Sequence, residues 1–194
     1  MTQVDVSPCR AEDMDPAAQV LSLAMLDNPL HQAVFQGAGE GARQKIEAMF
    51  GRLFRELPRR ILLARQEGRI IGVMRMKPCQ GSEPPQETIS PKEPLDQASR
   101  VTLWHTIWAR NDPREPHWHL GPIGVLPQEQ GKGIGTVLMS HFCDRVDQEG
   151  RPAYLETDLA QNVRFYQKFG FEVTAQTNIL GVANSFMWRP AKEP

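Results

Sequence analysis

Three glycines alternate with other residues in the run Gln130-Gly131-Lys132-Gly133-Ile134-Gly135-Thr136. Glycine has no Cβ, so a bulky ligand can lie directly on the backbone there. Downstream, Ile134, Leu138, Phe142 and Val146 recur every four positions, the pattern of an amphipathic helix. The first N–H groups of a helix have no partner inside it and carry partial positive charge, so a diphosphate can take their hydrogen bonds. Lys132 adds charge at the rim of the anion cradle this predicts. A second group is Asn162 and Tyr166, four apart and therefore on one helix face. A tyrosine hydroxyl can donate a proton to a departing thiolate, and an asparagine amide can hold a ligand's polar arm. A third is His117 and His119, two apart and so on one face of a strand. Histidine titrates near neutrality, which suits proton transfer.

The elements that must position these groups can be read around them. Residues His117 to Val125 form a strand, with Ile123 and Val125 favouring extended backbone, and Pro127 ends it. The glycine turn then opens the helix. It is not a Walker P-loop, because Lys132 is followed by Gly133 rather than Ser or Thr. It is not a dinucleotide fingerprint either: the place of the third glycine is Thr136 or Leu138, depending on which pair starts the count. Arg151 to Thr157 is a short strand carrying Glu156 near its end. Thr157 or Asp158 can cap a helix over 159–168.

What fits is Gln-x-x-Gly-x-Gly at Gln130, Gly133 and Gly135, directly after a strand ending Ile-Gly-Val-x-Pro. Asn-x-x-x-Tyr-x-x-x-Gly-Phe follows at Asn162, Tyr166, Gly170 and Phe171, about thirty residues on. Together these closely resemble the acyl-CoA signature of the GNAT acyltransferase superfamily, over His117 to Val173. The resemblance implies a GNAT fold of the α/β (α+β) class, with a mixed central sheet of about six to seven strands flanked by helices, as one domain over residues 1–194. It implies acetyl-CoA as co-substrate and no metal. Ile123, Gly124 and Val125 would be the splayed end of the cofactor strand, pairing with the acetyl group and pantetheine amides. Gly131, Lys132, Gly133, Ile134, Gly135 and Thr136 would be the pyrophosphate loop, shaped by Gln130. Asn162 would contact pantetheine or CoA, and Tyr166 would be the general acid for the CoA sulfur. His119 lies four residues before Ile123, where several members place a base. His117 shares its face, and Glu156 is a weaker candidate.

The rest of the chain agrees in order. Val4 and Val6 suggest a first strand, and Asp13 or Asp15 caps a helix over 17–26, broken at Asp27-Asn28-Pro29-Leu30. A helical turn at 31–35 and a helix over 42–57 follow. Strands at 60–65 and 70–76 are joined by a hairpin turn at Glu67-Gly68. A proline-rich insertion runs from Pro78 to Pro116, with a helix over 95–110 inside it. Trp104 and Trp108 either pack that insertion onto the sheet or, with His105 and His117 as further candidates, line an acceptor pocket. A strand begins at Phe171, a loop spans 178–183, and a last strand covers 184–188. The strand run from His117, the Asn28-Pro29-Leu30 break and the insertion resemble small-molecule acetyltransferases of the puromycin N-acetyltransferase type. A small-molecule amine is therefore the expected acceptor, with a protein or peptide amine, or a non-catalytic acyl-CoA-binding role, as alternatives.

Composition narrows the classes. Of 194 residues, 40% are hydrophobic and 23% charged, ordinary for a globular protein. A formal charge of −1 gives no basic footprint for nucleic acid. No run approaches a membrane span. Cys9, Cys79 and Cys143 are far apart, which suggests neither a disulfide framework nor a zinc site. A cytoplasmic setting is expected. An apolar helix face or the final strand offers a route to a homodimer.

Overall fold

Seven strands form one sheet in the order β1-β2-β3-β4-β5-β7-β6. They are β1 (Asp5–Pro8), β2 (Arg60–Gln66), β3 (Arg69–Cys79), β4 (His117–Val125), β5 (Ala153–Thr157), β6 (Glu172–Ile179) and β7 (Val182–Arg189). Every pairing is antiparallel except β4 with β5. The helices are α1 (Met14–Met25), α2 (Pro29–Phe35), α3 (Glu40–Glu56), α4 (Gln97–Asn111), α5 (Ile134–Gln148) and α6 (Ala160–Gln167). The computed structural model describes residues 4–56, 60–85 and 96–192. Leu57 and Leu95, expected at helix ends, fall outside them.

Two glycines show how the layers sit. A Cβ on Gly72 would lie 3.1 Å from Ile134 Cγ2 and 3.2 Å from Leu138 Cδ1, so α5 presses on that face of β3. A Cβ on Gly124 would lie 2.8 Å from Leu21 Cδ2 and 2.9 Å from Ala24 Cβ, so α1 presses equally closely on β4. Gly72 pairs with Val125, the neighbour of Gly124, and side chains alternate along a strand. The two helices therefore cover opposite faces. The expected period-four residues Ile134, Leu138, Phe142 and Val146 are all buried beneath α5.

The β2–β3 hairpin turns through Glu67 and Gly68 with φ of 51° and 80°, the left-handed pair that matches strand twist. The expected loop at 178–183 is shorter than the sequence suggests: β6 and β7 meet at Ile179 and Val182 through Leu180 and Gly181, again left-handed. Leucine is an unusual residue for that conformation, so the turn carried no signal. The expected insertion also begins late. Pro78 and Cys79 still belong to β3, paired with Trp118 and His117. As the final strand, β7 lies between β5 and β6, so both of its edges are used and it offers none for a dimer.

The expected caps are corrected too. Asp13 does not cap α1 through its side chain; it accepts from the Arg10 backbone N–H at 3.0 Å and pairs with Arg65 at 2.7 Å. Asp158 does not cap α6. Its carboxylate reaches back to the α1–α2 break, accepting from Leu30 N–H at 2.8 Å and from Asn28 Nδ2 at 2.7 Å. Asn28 Oδ1 in turn caps α2 at His31 N–H, 3.0 Å. The end of β5 is thereby tied to the start of α2. Among the described residues no helix is long and apolar enough to cross a membrane.

Candidate active site

The strands β4 and β5 pair only at Trp118 with Ala153 and His119 with Tyr154. Beyond that, β4 stays with β3 as far as Val125, and β5 stays with β7 as far as Thr157. The two strands thus part just after His119. A strand edge without a neighbour presents N–H and C=O groups that another extended chain can pair with. Ile123, Gly124 and Val125 lie on that edge. The Gly124 side-chain position is filled by α1, so glycine there serves close packing as well.

At the far end of β4 the chain enters a short 3-10 turn, Pro127–Glu129, and then the glycines. Gly131 and Gly133 have φ of 75° and 85°, where a side chain is strained. A Cβ at either would meet nothing within 4 Å, so the turn is open on its outer side. Gly133 is the N-cap of α5, and no side chain caps that helix. Gly135 faces Phe165 of α6, and Thr136 is exposed on the first turn. Gln130 shapes the turn by donating from Nε2 to the Val125 carbonyl at 3.1 Å. These features fit a diphosphate on the helix N-terminus and an extended amide chain along β4. Lys132 is less free than expected. Its ammonium lies 2.9 Å from Glu129 Oε2, and Arg69 holds the other oxygen at 2.6 Å. Glu129 is 6% exposed, and its bond to Lys132, despite burial, keeps its carboxyl below the usual range. In sequence this residue reads only as a charge within the turn.

On the face opposite α5, side chains from three strands converge. Cys79 lies across from His117 in the β3–β4 register, Lys77 across from His119, and Tyr154 beside His119. His119 Nε2 is 2.8 Å from Glu156 Oε2, and their side chains are 13% and 4% exposed. Burial alone would disfavour a charged His119, but the Glu156 carboxylate and the Cys79 sulfur outweigh it, and its pKa is pushed up to about 9. His117 is fully buried. Its Nδ1 lies 2.8 Å from the Glu115 carbonyl and its Nε2 lies 3.7 Å from Asp112.

Tyr166 sits on α6, 6% exposed, with its ring 5.4 Å from Phe165 and 6.2 Å from Phe171. Burial first, and then the charges of Asp158 and Glu156, push its pKa well above the ordinary tyrosine range. The phenol therefore keeps its proton. Asn162 is half-buried one turn earlier. The tryptophans divide. Trp104 is 4% exposed and packs edge-on to His31 at 5.2 Å and to Trp108 at 5.0 Å, which makes it a core residue that anchors α4. Trp108 is half-buried and reaches Asn184 Oδ1 at 3.5 Å, over β7. Among the described residues no group of three or more His, Cys, Asp or Glu side chains is placed to hold a metal ion.

Known proteins share this fold. The family model described as acetyltransferase (GNAT) family matches residues 29–171. An L-methionine sulfoximine/L-methionine sulfone acetyltransferase of Salmonella typhimurium is 36% identical over 63 residues, 31% of this chain and 37% of that protein. The chain spans 24% of one curated relative it matches and 37% of another. Among solved structures, one from Corynebacterium glutamicum, described as histone acetyltransferase HPA2 and related acetyltransferase, aligns with a TM-score of 0.70 at 19% identity. That alignment covers 100% of this chain and 99% of the other. A GNAT family acetyltransferase from Brucella melitensis in complex with acetyl-CoA aligns at 0.57, with 19% identity over 100% and 91%. These structures share the fold, and the family match runs from the α1–α2 break through the glycine turn to Phe171. The chain belongs to the acetyltransferase (GNAT) family.

Proposed function

We propose that this chain, acting as one catalytic domain over residues 1–194, moves an acetyl group from acetyl-CoA to the amine of a small molecule by direct attack in a ternary complex. The observation that carries this reading is the parting of β4 from β5 just after His119, with the open glycine turn at one end and the His119–Glu156 pair at its mouth. When bound, acetyl-CoA supplies an activated thioester carbonyl. The chain's own groups do the rest. Gly131 to Thr136 hold the diphosphate, and the β4 edge from Ile123 to Val125 orients the pantetheine arm, with Asn162 as a further contact. A backbone N–H near Val125 polarises the carbonyl oxygen. Tyr166, held protonated, gives its proton to the departing sulfur.

The acceptor must lose a proton, because an ammonium has no lone pair. The His119–Glu156 dyad takes it, directly or through water, once His119 is neutral. With His119 charged below about 9, activity is expected to rise toward alkaline pH. A small-molecule acceptor is supported by the relative that acts on methionine sulfoximine and sulfone, and by α4 closing over the same face as His119. A cytoplasmic setting fits three free cysteines.

The test is thiol release from acetyl-CoA with and without a panel of amines: aminonucleosides, aminoglycosides, polyamines, amino acids and short peptides. Release that depends on a small amine supports the reading. Release that depends only on peptides moves the acceptor to a protein amine. Tight acetyl-CoA binding by calorimetry with no turnover on any amine would instead favour an acyl-CoA-binding module.

A further inference from the structure

We propose that Cys79 is a reactive thiol, a modification site for low-molecular-weight disulfides, built into the acceptor face beside His119. This goes beyond the acetyl-transfer reading and does not depend on it.

Cys79 ends β3 directly opposite His117, with His119 diagonal to it on the same face. Three buried polar atoms surround this corner without a hydrogen-bond partner: His117 Nε2, His119 Nδ1 and Tyr154 Oη. His117 and Tyr154 are 0% and 1% exposed. Buried polar atoms are nearly always partnered, so three together mark a corner whose polarity is directed at something other than its own side chains. The other nitrogen of each ring is already engaged, His117 Nδ1 with Glu115 and His119 Nε2 with Glu156. The nitrogen left on each imidazole lies on the face that also carries Cys79, and His117 Nε2 is 3.7 Å from Asp112 as well.

The three cysteines are thereby set apart. Half-burial raises the Cys79 thiol, but His117 and His119, with the Lys77 charge, reverse this and bring it down to about 6. Burial, with Asp13 adding to it, pushes Cys9 up to about 11, and burial also raises Cys143. The thiolate is the nucleophile in exchange with disulfides. Cys79 is also partly exposed, whereas Cys143 is buried in α5.

In the exchange, the Cys79 sulfur attacks one sulfur of the disulfide. A Cys79–S–S bond forms, the original S–S bond breaks, and the departing thiolate takes a proton from solvent in place of the one Cys79 released. Cys9 follows β1 at the outer edge of the sheet, and Cys143 lies within α5, so no second thiol on this face resolves the mixed disulfide. The added group then stands next to His119 until a reductant removes it.

The test uses the full chain at neutral pH, treated with glutathione disulfide, and separately with iodoacetamide, then mapped by peptide mass spectrometry. Cys79 is expected to react at least about tenfold faster than Cys9 or Cys143 with both reagents, and to be restored by a thiol after glutathione disulfide. The His117→Asn variant is expected to slow Cys79 labelling about tenfold. An ultraviolet titration of wild-type thiolate against the Cys79→Ala variant gives the same answer if His117→Asn fails to fold. Equal labelling of all three cysteines, or a titration unchanged by Cys79→Ala, would overturn the proposal. None of these readouts needs an acceptor, so failure here and failure of acetyl transfer are distinguishable.

Discussion

The two ends of the gap between β4 and β5 are built from different materials. At the glycine turn the groups left open are mainly backbone: the outer sides of Gly131 and Gly133, the uncapped start of α5 and the edge of β4. Side chains there mostly hold the backbone in place, as Gln130 does by bonding to Val125 O. At the mouth of the gap the clustered polar groups are side chains from three strands, namely Cys79, His117, His119, Tyr154 and Glu156. A backbone site has to be continuous in sequence. A side-chain site needs only sheet register to assemble it. The first suits a ligand that is the same in every reaction, and the second suits an acceptor and a proton that differ from enzyme to enzyme.

The sharpest way to separate the two ends is to remove the proposed proton donor. Tyr166→Phe keeps the ring that packs against Phe165 and Phe171 and removes only the hydroxyl. Turnover is expected to fall about 10²–10⁴-fold, with acetyl-CoA affinity by calorimetry unchanged. An enzyme with full turnover at every pH would remove Tyr166 from the acid role. The second test concerns which tryptophan belongs to the acceptor side. Trp104→Ala empties a buried position among His31 and Trp108 and is expected to cost about 3–5 kcal/mol of stability in denaturant melts. Trp108→Ala, at a half-buried site over β7, is expected to cost less than half of that and to change acceptor KM instead. A reversed order would place Trp104 in the pocket.

The backbone end is probed with Gly133→Val. The position combines a φ of 85° with open space, so the new side chain is both strained and in the ligand's way. Acetyl-CoA binding is expected to weaken about 10–100-fold, equivalent to about 1.4–2.8 kcal/mol. Intact binding would mean that the diphosphate lies elsewhere.

The same division explains what was legible in the sequence. The glycine turn, β4, α5 and the Asn162–Tyr166 face can all be read locally, because each depends on spacing within one stretch. The strand order can be anticipated only through the resemblance. Cys79 reads as one of three unrelated cysteines until β3 pairs with β4 and sets it opposite His117, a sequence separation that no periodicity reports. Asp158 reads as a helix cap, since its type and position allow it, but the α1–α2 break brings Leu30 N–H and Asn28 closer. Glu129 looks like a solvated turn residue until Arg69 from β3 arrives beside it. In each case a contact across the sheet or between layers outweighed a sound local expectation.

The finest test of the side-chain end is its proton. Glu156 is the main reason His119 holds a proton up to about 9 in spite of burial. Below about 6.5, the ordinary histidine value, the folded and unfolded states are both protonated at this group, and the pair stabilises the fold in full. As pH rises through about 9 the folded state loses its proton and that contribution disappears. Glu156→Gln removes the charge and leaves burial, which lowers a histidine pKa. The stability gap between wild type and variant, measured by denaturant melts, should therefore be widest below about pH 6.5 and shrink toward pH 9. Activity should move in the matching direction. If the neutral imidazole accepts the amine's proton, the wild-type rate climbs to a limb near pH 9, and in Glu156→Gln the limb moves to lower pH. A limb that stays in place while the stability gap shrinks as expected would mean that His119 titrates as described but is not the group whose proton limits the reaction. The base would then be a water held at the mouth of the gap, with the dyad reduced to closing β4 onto β5.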